Sequence, residues 1–236
     1  MQFHNTYLQK RQPGMSYRDF QRLWRSHGDY AASVPAFWDN VERYVQNDPV
    51  EEPAGIPGVS TEFDAVGEIY YTSYETWVSM RDVMWNEIKP DEQRVFAGPP
   101  TAVRGDRTVH QQPEGLHKLF TFASFKDEEA RADGARLLAD HAAATLALPD
   151  FGGKLAGFTT TTARQAPADS GMAAVPQTAS NRDLLFIHHF TSEDAARSAL
   201  KSADYLRLQT LEDRFLDWDS RIVILTRGWV FKGDNG

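Results

Sequence analysis

Apolar residues alternate with polar ones in several short stretches of this chain, and in the stretches between them they recur every three to four positions. The first period marks strands and the second marks helices. In the first half, FHNTYLQ reads as a strand, KRQPG as a turn, and Tyr17 to Ser26 as a helix. Ser16 is placed to cap that helix, with Asp19 three residues on, and Gly28 is a stop signal. VERYVQND and FDAVGEIYY read as strands, TSYETWVSMRDVMWNEI as an amphipathic helix, and PTAVRGDRTVHQ holds a weaker strand. The proline-rich DPVEEPAGIPG between two of these strands is a loop.

The order then starts again. LHKLFTFASF, KLAGFTTTT, LLFIHHF and SRIVILTRGWVF are strands. Helices are expected in DEEARADGARLLADHAAATLAL and SEDAARSALKSADYLRLQ, and the small-residue stretch around 163–183 is a loop. His27, Pro35 and Phe37 recur as His141, Pro149 and Phe151, each 114 positions on. VERYVQ lies against LAGFTT, YTSYE against FTSED, and EQRVF against EDRFL. Such an ordered recurrence is the mark of a duplicated unit. The reading is α+β, with two ferredoxin-like β-α-β-β-α-β units, residues 1–112 and 113–236, closing face to face as an intrachain barrel pair. In FDAVGEIYY, alternation gives Phe63, Ala65, Gly67, Ile69 and Tyr71 to the helix-packed face and leaves Val66, Glu68 and Tyr70 on the free one.

Composition adds little to this picture but narrows the partners. At 236 residues with 41% hydrophobic positions, the chain can build a core without covalent staples. A net charge of −8 argues against nucleic acid and anionic membrane as partners. No cysteine is present, so disulfides, thiolate nucleophiles and cysteine-ligated metals are excluded. The amino-terminal stretch lacks the apolar run of a secretion signal, which makes the cytoplasm the expected location. Phosphate-binding glycine loops and a Gly-x-Ser-x-Gly elbow are also missing from the sequence.

KRQPGMSYRDFQRLWRSHG, followed by ERYVQN and FDAVGEIYYTSYETW, resembles the EthD family of the dimeric α+β barrel group. The resemblance lies in a basic residue, a turn Gly-x-Ser, a Phe and Trp-x-x-His, and it covers roughly residues 3–100. The second half shares the layout, with Leu138 at the place of Trp24 and Gly134 at that of Phe20. The resemblance implies a protein without metal or organic cofactor that holds a small apolar or aromatic molecule. It also leaves room for a homodimer. Relatives include dehydratases, cyclases, isomerases and cofactor-independent oxygenases acting on polyketide-like substrates.

Candidate residues follow from both lines. His27 shares a helix face with Phe20 and Trp24, and it reads either as an acid–base group or as a core histidine held by a carbonyl. Glu68 interrupts an apolar strand, so it is either a base raised by desolvation or the partner of Arg43. Trp24, Tyr44 and Tyr70 are candidate substrate contacts or core rings. His4 and His189 can join the same cavity, whereas adjacency turns His188 to the other face. No metal site is expected, and His110 and His117 are read as structural. The resulting expectation is an enzyme of lyase, dehydratase, cyclase or isomerase type, with His27 and Glu68 moving protons. The alternatives are cofactor-independent oxygenation of a phenol and non-catalytic carriage of an apolar ligand.

Overall fold

In the computed structural model, which describes residues 2–50, 56, 58–164 and 180–233, the eight described strands close into one antiparallel barrel. The first half runs β1 (Phe3–Gln9), α1 (Tyr17–Ala32), α2 (Pro35–Trp38), β2 (Val41–Pro49), β3 (Ala65–Tyr71), α3 (Tyr74–Ser79), α4 (Arg81–Val83), a π turn (Met84–Ile88), α5 (Lys89–Val95) and β4 (Thr101–Gln111). The second runs β5 (His117–Phe125), α6 (Glu128–Ala132), α7 (Gly134–Ala147), β6 (Leu155–Ala163), β7 (Leu184–Phe190), α8 (Glu193–Leu200), α9 (Ala203–Glu212) and β8 (Leu216–Lys232). Around the barrel the order is β1-β3-β2-β8-β5-β7-β6-β4. Each half therefore contributes four neighbouring strands in equivalent order, and the seams are β2 with β8 and β4 with β6.

The recurrence seen in the sequence has structural counterparts. Ser73 and Ser192 both cap helices, accepting from the backbone N–H of Thr76 and Ala195 respectively. Parts of the two loops noted above, residues 51–55, 57 and 165–179, lie outside the described residues.

Ser16 does cap α1, accepting from the Asp19 N–H at 3.1 Å. Gly28, however, does not stop the helix, which continues to Ala32. Its small size serves packing instead: a Cβ there would lie 2.4 Å from the Phe231 ring and 2.9 Å from Gln46 Nε2. Glycine thus lets α1 settle onto β2 and β8. His27 consequently sits inside the helix rather than at its carboxyl end, away from the negative end of the helix dipole. Each of the other long helical stretches is also broken, the two second-half ones at Asp133 between α6 and α7 and at Ser202, which caps α9.

The sheet has two buried faces. Helices cover the outer one, and the inner one lines the barrel. At one end the interior is filled by Leu8, Val66, Val103, Phe120, Phe122, Leu185, Ile187 and Ile224. The opposite end carries polar side chains.

Candidate functional site

The sheet separates the residues singled out from sequence into two groups. Glu68, Tyr70, His4 and His189 point into the barrel, while His27, Trp24 and Tyr44 lie between the sheet and the helices. His27 and Glu68 therefore do not share a site.

Inside the barrel, Glu68 is held by three donors. Asn47 Nδ2 donates to Oε1 at 2.8 Å, the Tyr70 hydroxyl donates to Oε2 at 2.6 Å, and Lys118 Nζ donates to Oε1. The expected Arg43 partnership does not form: strand register sets Arg43 opposite Tyr70 and puts Val45 opposite Glu68. Burial works to raise the Glu68 pKa, but the charge of Lys118, the neighbouring His4 and the hydrogen bonds from Lys118 and Tyr70 together outweigh it and hold the carboxyl below its usual range. A base primed by desolvation was the expectation; an ionised, fully bonded carboxylate is the result. His4 stacks on Tyr70 with ring centroids 4.2 Å apart and bonds Thr6 and Thr161 at 2.9 and 3.0 Å. Burial lowers the pKa of His4 to about 3, and that of His189 likewise to about 3.

The outer layer of the first half is arranged differently. The His27 Nδ1–H donates to Asp91 Oδ2 at 2.8 Å, and the ring packs edge-on against Phe96 with centroids 6.1 Å apart. A carboxylate only accepts, so the neutral imidazole carries its proton on Nδ1 and offers a lone pair on Nε2. Burial would raise the Asp91 pKa, yet hydrogen bonds from His27 and Arg94 prevail and lower it. Trp24 and Tyr7 flank the same Phe96 ring, at 6.3 and 6.5 Å. Gln46 Nε2 donates to the Tyr44 hydroxyl at 3.0 Å and to the Trp24 carbonyl at 2.8 Å.

Beneath α5, strand register places Arg104, Asn5, Ile69 and Tyr44 in one row across β4, β1, β3 and β2. Tyr7 and Tyr71 border that row. Tyr7 can lean across β3 because residue 67 is glycine; a Cβ there would lie 2.2 Å from the Tyr7 ring. The Tyr7 hydroxyl bonds to Tyr44. Glu92 on α5 acts electrostatically on Tyr7, Tyr44, Tyr71 and Arg104. Burial lowers the Arg104 guanidinium to about 10 and raises Tyr44 to about 12, so Arg104 stays charged and Tyr44 protonated at neutral pH. Four buried polar atoms of this layer have no protein partner: Tyr71 Oη, Asn5 Oδ1, Gln9 Oε1 and Trp24 Nε1. Unpaired buried groups in such number call for an explanation, and a bound molecule supplies one.

The second half repeats the layout with different chemistry. His141 faces Glu212 Oε1 at 3.5 Å, and Glu212 in turn accepts from Arg221 Nε at 3.1 Å. His188 lies on this outer face, stacked on Phe158 at 4.5 Å. Among the described residues, no group of three or more His, Asp or Glu is arranged to hold a metal ion. No described helix is long and apolar enough to cross a membrane.

Tyr7, Asn5, Tyr71, Arg104, Asp91 and Glu92 were not singled out from sequence. The signal for three of them was present: Asn5 and Tyr7 alternate with His4, and Tyr71 with Tyr70. Arg104 sits at an outward position of TAVRGDR, and only strand pairing reveals that it is covered.

Residues 12–100 match the model of the EthD domain. A comparison with curated proteins finds no match. Solved structures that share the fold include an anthrone oxidase-like protein, 6% identical, with a TM-score of 0.65 over 100% of this chain and 94% of that one. A candidate monooxygenase from Fusobacterium nucleatum subsp. nucleatum, 10% identical, has a TM-score of 0.60 over 98% of this chain and 93% of that one. A further candidate monooxygenase, from Lactobacillus acidophilus, is 11% identical with a TM-score of 0.53 over 100% and 96%.

Proposed function

With an EthD domain at residues 12–100 as the premise, we propose that this chain is a cofactor-independent enzyme acting on a small, enolisable aromatic or polyketide-like molecule. Its active site is the outer layer of the first half, and the chain is a fused pair of ferredoxin-like units, 1–112 and 113–236. One observation carries the reading. A buried guanidinium, Arg104, lies in register with Tyr44 and between Tyr7 and Tyr71, beside polar atoms that have no protein partner. Charged and hydroxyl donors fixed in a water-poor layer stabilise an enolate or phenolate oxygen as charge develops on it. His27, oriented by Asp91, takes the proton through Nε2. Tyr44 and Trp24 keep the substrate-binding role expected of them. Glu68, His4, Tyr70 and His189 do not belong to this chemistry, since they face the other side of the sheet.

Proton abstraction is the first step of an elimination, cyclisation or isomerisation. It is equally the first step of a second reading, in which the carbanion reacts with oxygen. The names of the structural neighbours favour that one. For an anthrone the overall change is anthrone plus O2 giving anthraquinone plus water, with the substrate supplying all the electrons.

Anthrone is therefore the first probe, assayed in air and under anaerobic conditions. Turnover only in air selects oxygenation, and deuterium exchange or product without oxygen selects the acid–base reading. In either case His27→Gln should lower kcat by about 10²- to 10⁴-fold. Full activity in His27→Gln and Arg104→Gln, with whatever substrate is found, rejects this site.

A further inference from the structure

The polar end of the barrel interior carries more positive charge than its own groups neutralise. Arg43, Arg107 and Lys118 all act electrostatically on His4, and Glu68 is the carboxylate that acts on His4, Lys118 and His189. Lys118 is fully buried and spends its contact on Glu68. The guanidinium groups of Arg43 and Arg107 both lie over the Tyr70 ring, at 5.8 and 5.3 Å from its centroid. Arg107 Nη1 donates to Gln2 Oε1 at 3.0 Å.

The donors left over are specific. Arg43 Nε and Arg107 Nε are buried and have no hydrogen-bond partner. His189 is 3% exposed and lies beside Lys118, its cross-strand neighbour, on the inner face. Leaving two guanidinium N–H groups unpaired in the interior is costly. Two guanidinium groups over one ring make a set of donors for an acceptor with several oxygens.

From this we propose that the barrel mouth between Arg43 and Arg107 binds a small oxyanion, a carboxylate or phosphate group. The anion neutralises the surplus charge and accepts from the unpaired Nε–H groups. The two arginines, partly open to solvent, form its entrance, while Glu68 and Lys118 form a closed floor beneath it. This site lies on the opposite face of the sheet from His27 and Arg104, so its occupancy is read independently of the proposed catalysis.

The test is thermal unfolding and calorimetric titration of the full chain with sodium phosphate and, separately, sodium succinate, at ionic strength held constant with chloride. Saturable binding of either anion is expected, with a rise in Tm that follows it. The stronger of the two arms identifies the anion class. Arg107→Gln and Arg43→Gln should each weaken binding about tenfold or more. Arg107→Lys, which keeps the charge but loses the fork, should weaken it less and serves if the glutamine variants do not fold. Equal responses to chloride and both anions, or unchanged affinity in the arginine variants, overturn the proposal.

Discussion

The Glu68 carboxylate and the Lys118 ammonium meet inside the barrel, one from β3 of the first half and the other from β5 of the second, both fully buried. The pair is a fully buried electrostatic bridge between two halves that are also joined by strand seams and by the more exposed Asp106–Arg164 pair. Each charge is costly to bury alone, and removing one leaves the other uncompensated. Lys118→Met should therefore lower the unfolding free energy by about 3–5 kcal/mol in urea titrations. Adding Glu68→Gln should recover a substantial part of that loss. Independent, additive effects of the two changes would show that the pair is not coupled.

Stability should fall as the solution is acidified below neutrality, well before carboxylates titrate. His4 and His189 have native pKa values near 3 because burial opposes their charge, against an ordinary 6.5. Below 6.5 the unfolded chain protonates these imidazoles and the folded chain does not, so the unfolded state binds more protons. Each contributes a loss of up to about 1.4 kcal/mol per pH unit through that window. Glu68 acts with the same sign at lower pH, its native pKa being depressed below the ordinary 4.5. Denaturant titrations at pH 7, 6 and 5 check this. The slope should become shallower in His189→Gln, and a stability independent of pH across this range refutes it.

Much of the frame was legible because it depends on local rules. The Ser16 cap, the alternation that turns Glu68 and Tyr70 inward, and the recurrence from His27 to His141 all rest on spacing within one element or on order along the chain. What could not be read depends on distant pairing. Lys118 occupies an apolar register with Phe120 and Phe122, and nothing near it in sequence announces the partner fifty positions upstream. Gly28 carries an ordinary helix-stop signal; its contact with Phe231 comes from the far end of the chain. The candidate site was half legible for the same reason. His27, Trp24 and Tyr44 stand out by residue type and spacing, whereas Arg104 becomes informative only when β4 pairs with β1 and lies under cover.

Gly67 should not tolerate even one methyl group. The Cβ of Gly67→Ala would lie 2.2 Å from Tyr7 Cζ and 2.5 Å from its hydroxyl oxygen. Tyr7 is itself buried, so relief means swinging its ring away from Tyr44 against a packed layer. A cost of about 1–3 kcal/mol is expected, together with lost activity. Trimming the ring in Gly67→Ala with Tyr7→Leu should restore part of the stability but not the activity. No loss of stability in Gly67→Ala would mean that Tyr7 does not rest on that glycine.

Tyr71 gives the sharpest separation between a structural and a functional role. Its hydroxyl is buried, has no protein partner, and stands in the same layer as Arg104, whose charge partly offsets the effect of burial on its pKa. Removing a buried hydroxyl that bonds to nothing should be neutral or slightly stabilising, because its desolvation cost is relieved. If that hydroxyl instead meets a substrate oxygen, Tyr71→Phe loses a hydrogen bond made in the bound state and should lower kcat/KM about 10- to 100-fold. Unfolding and kinetics measured on the same preparation therefore move apart. A variant that is destabilised by more than about 1 kcal/mol would point to a structural partner for the hydroxyl, and one that keeps both stability and kcat/KM would remove Tyr71 from the site.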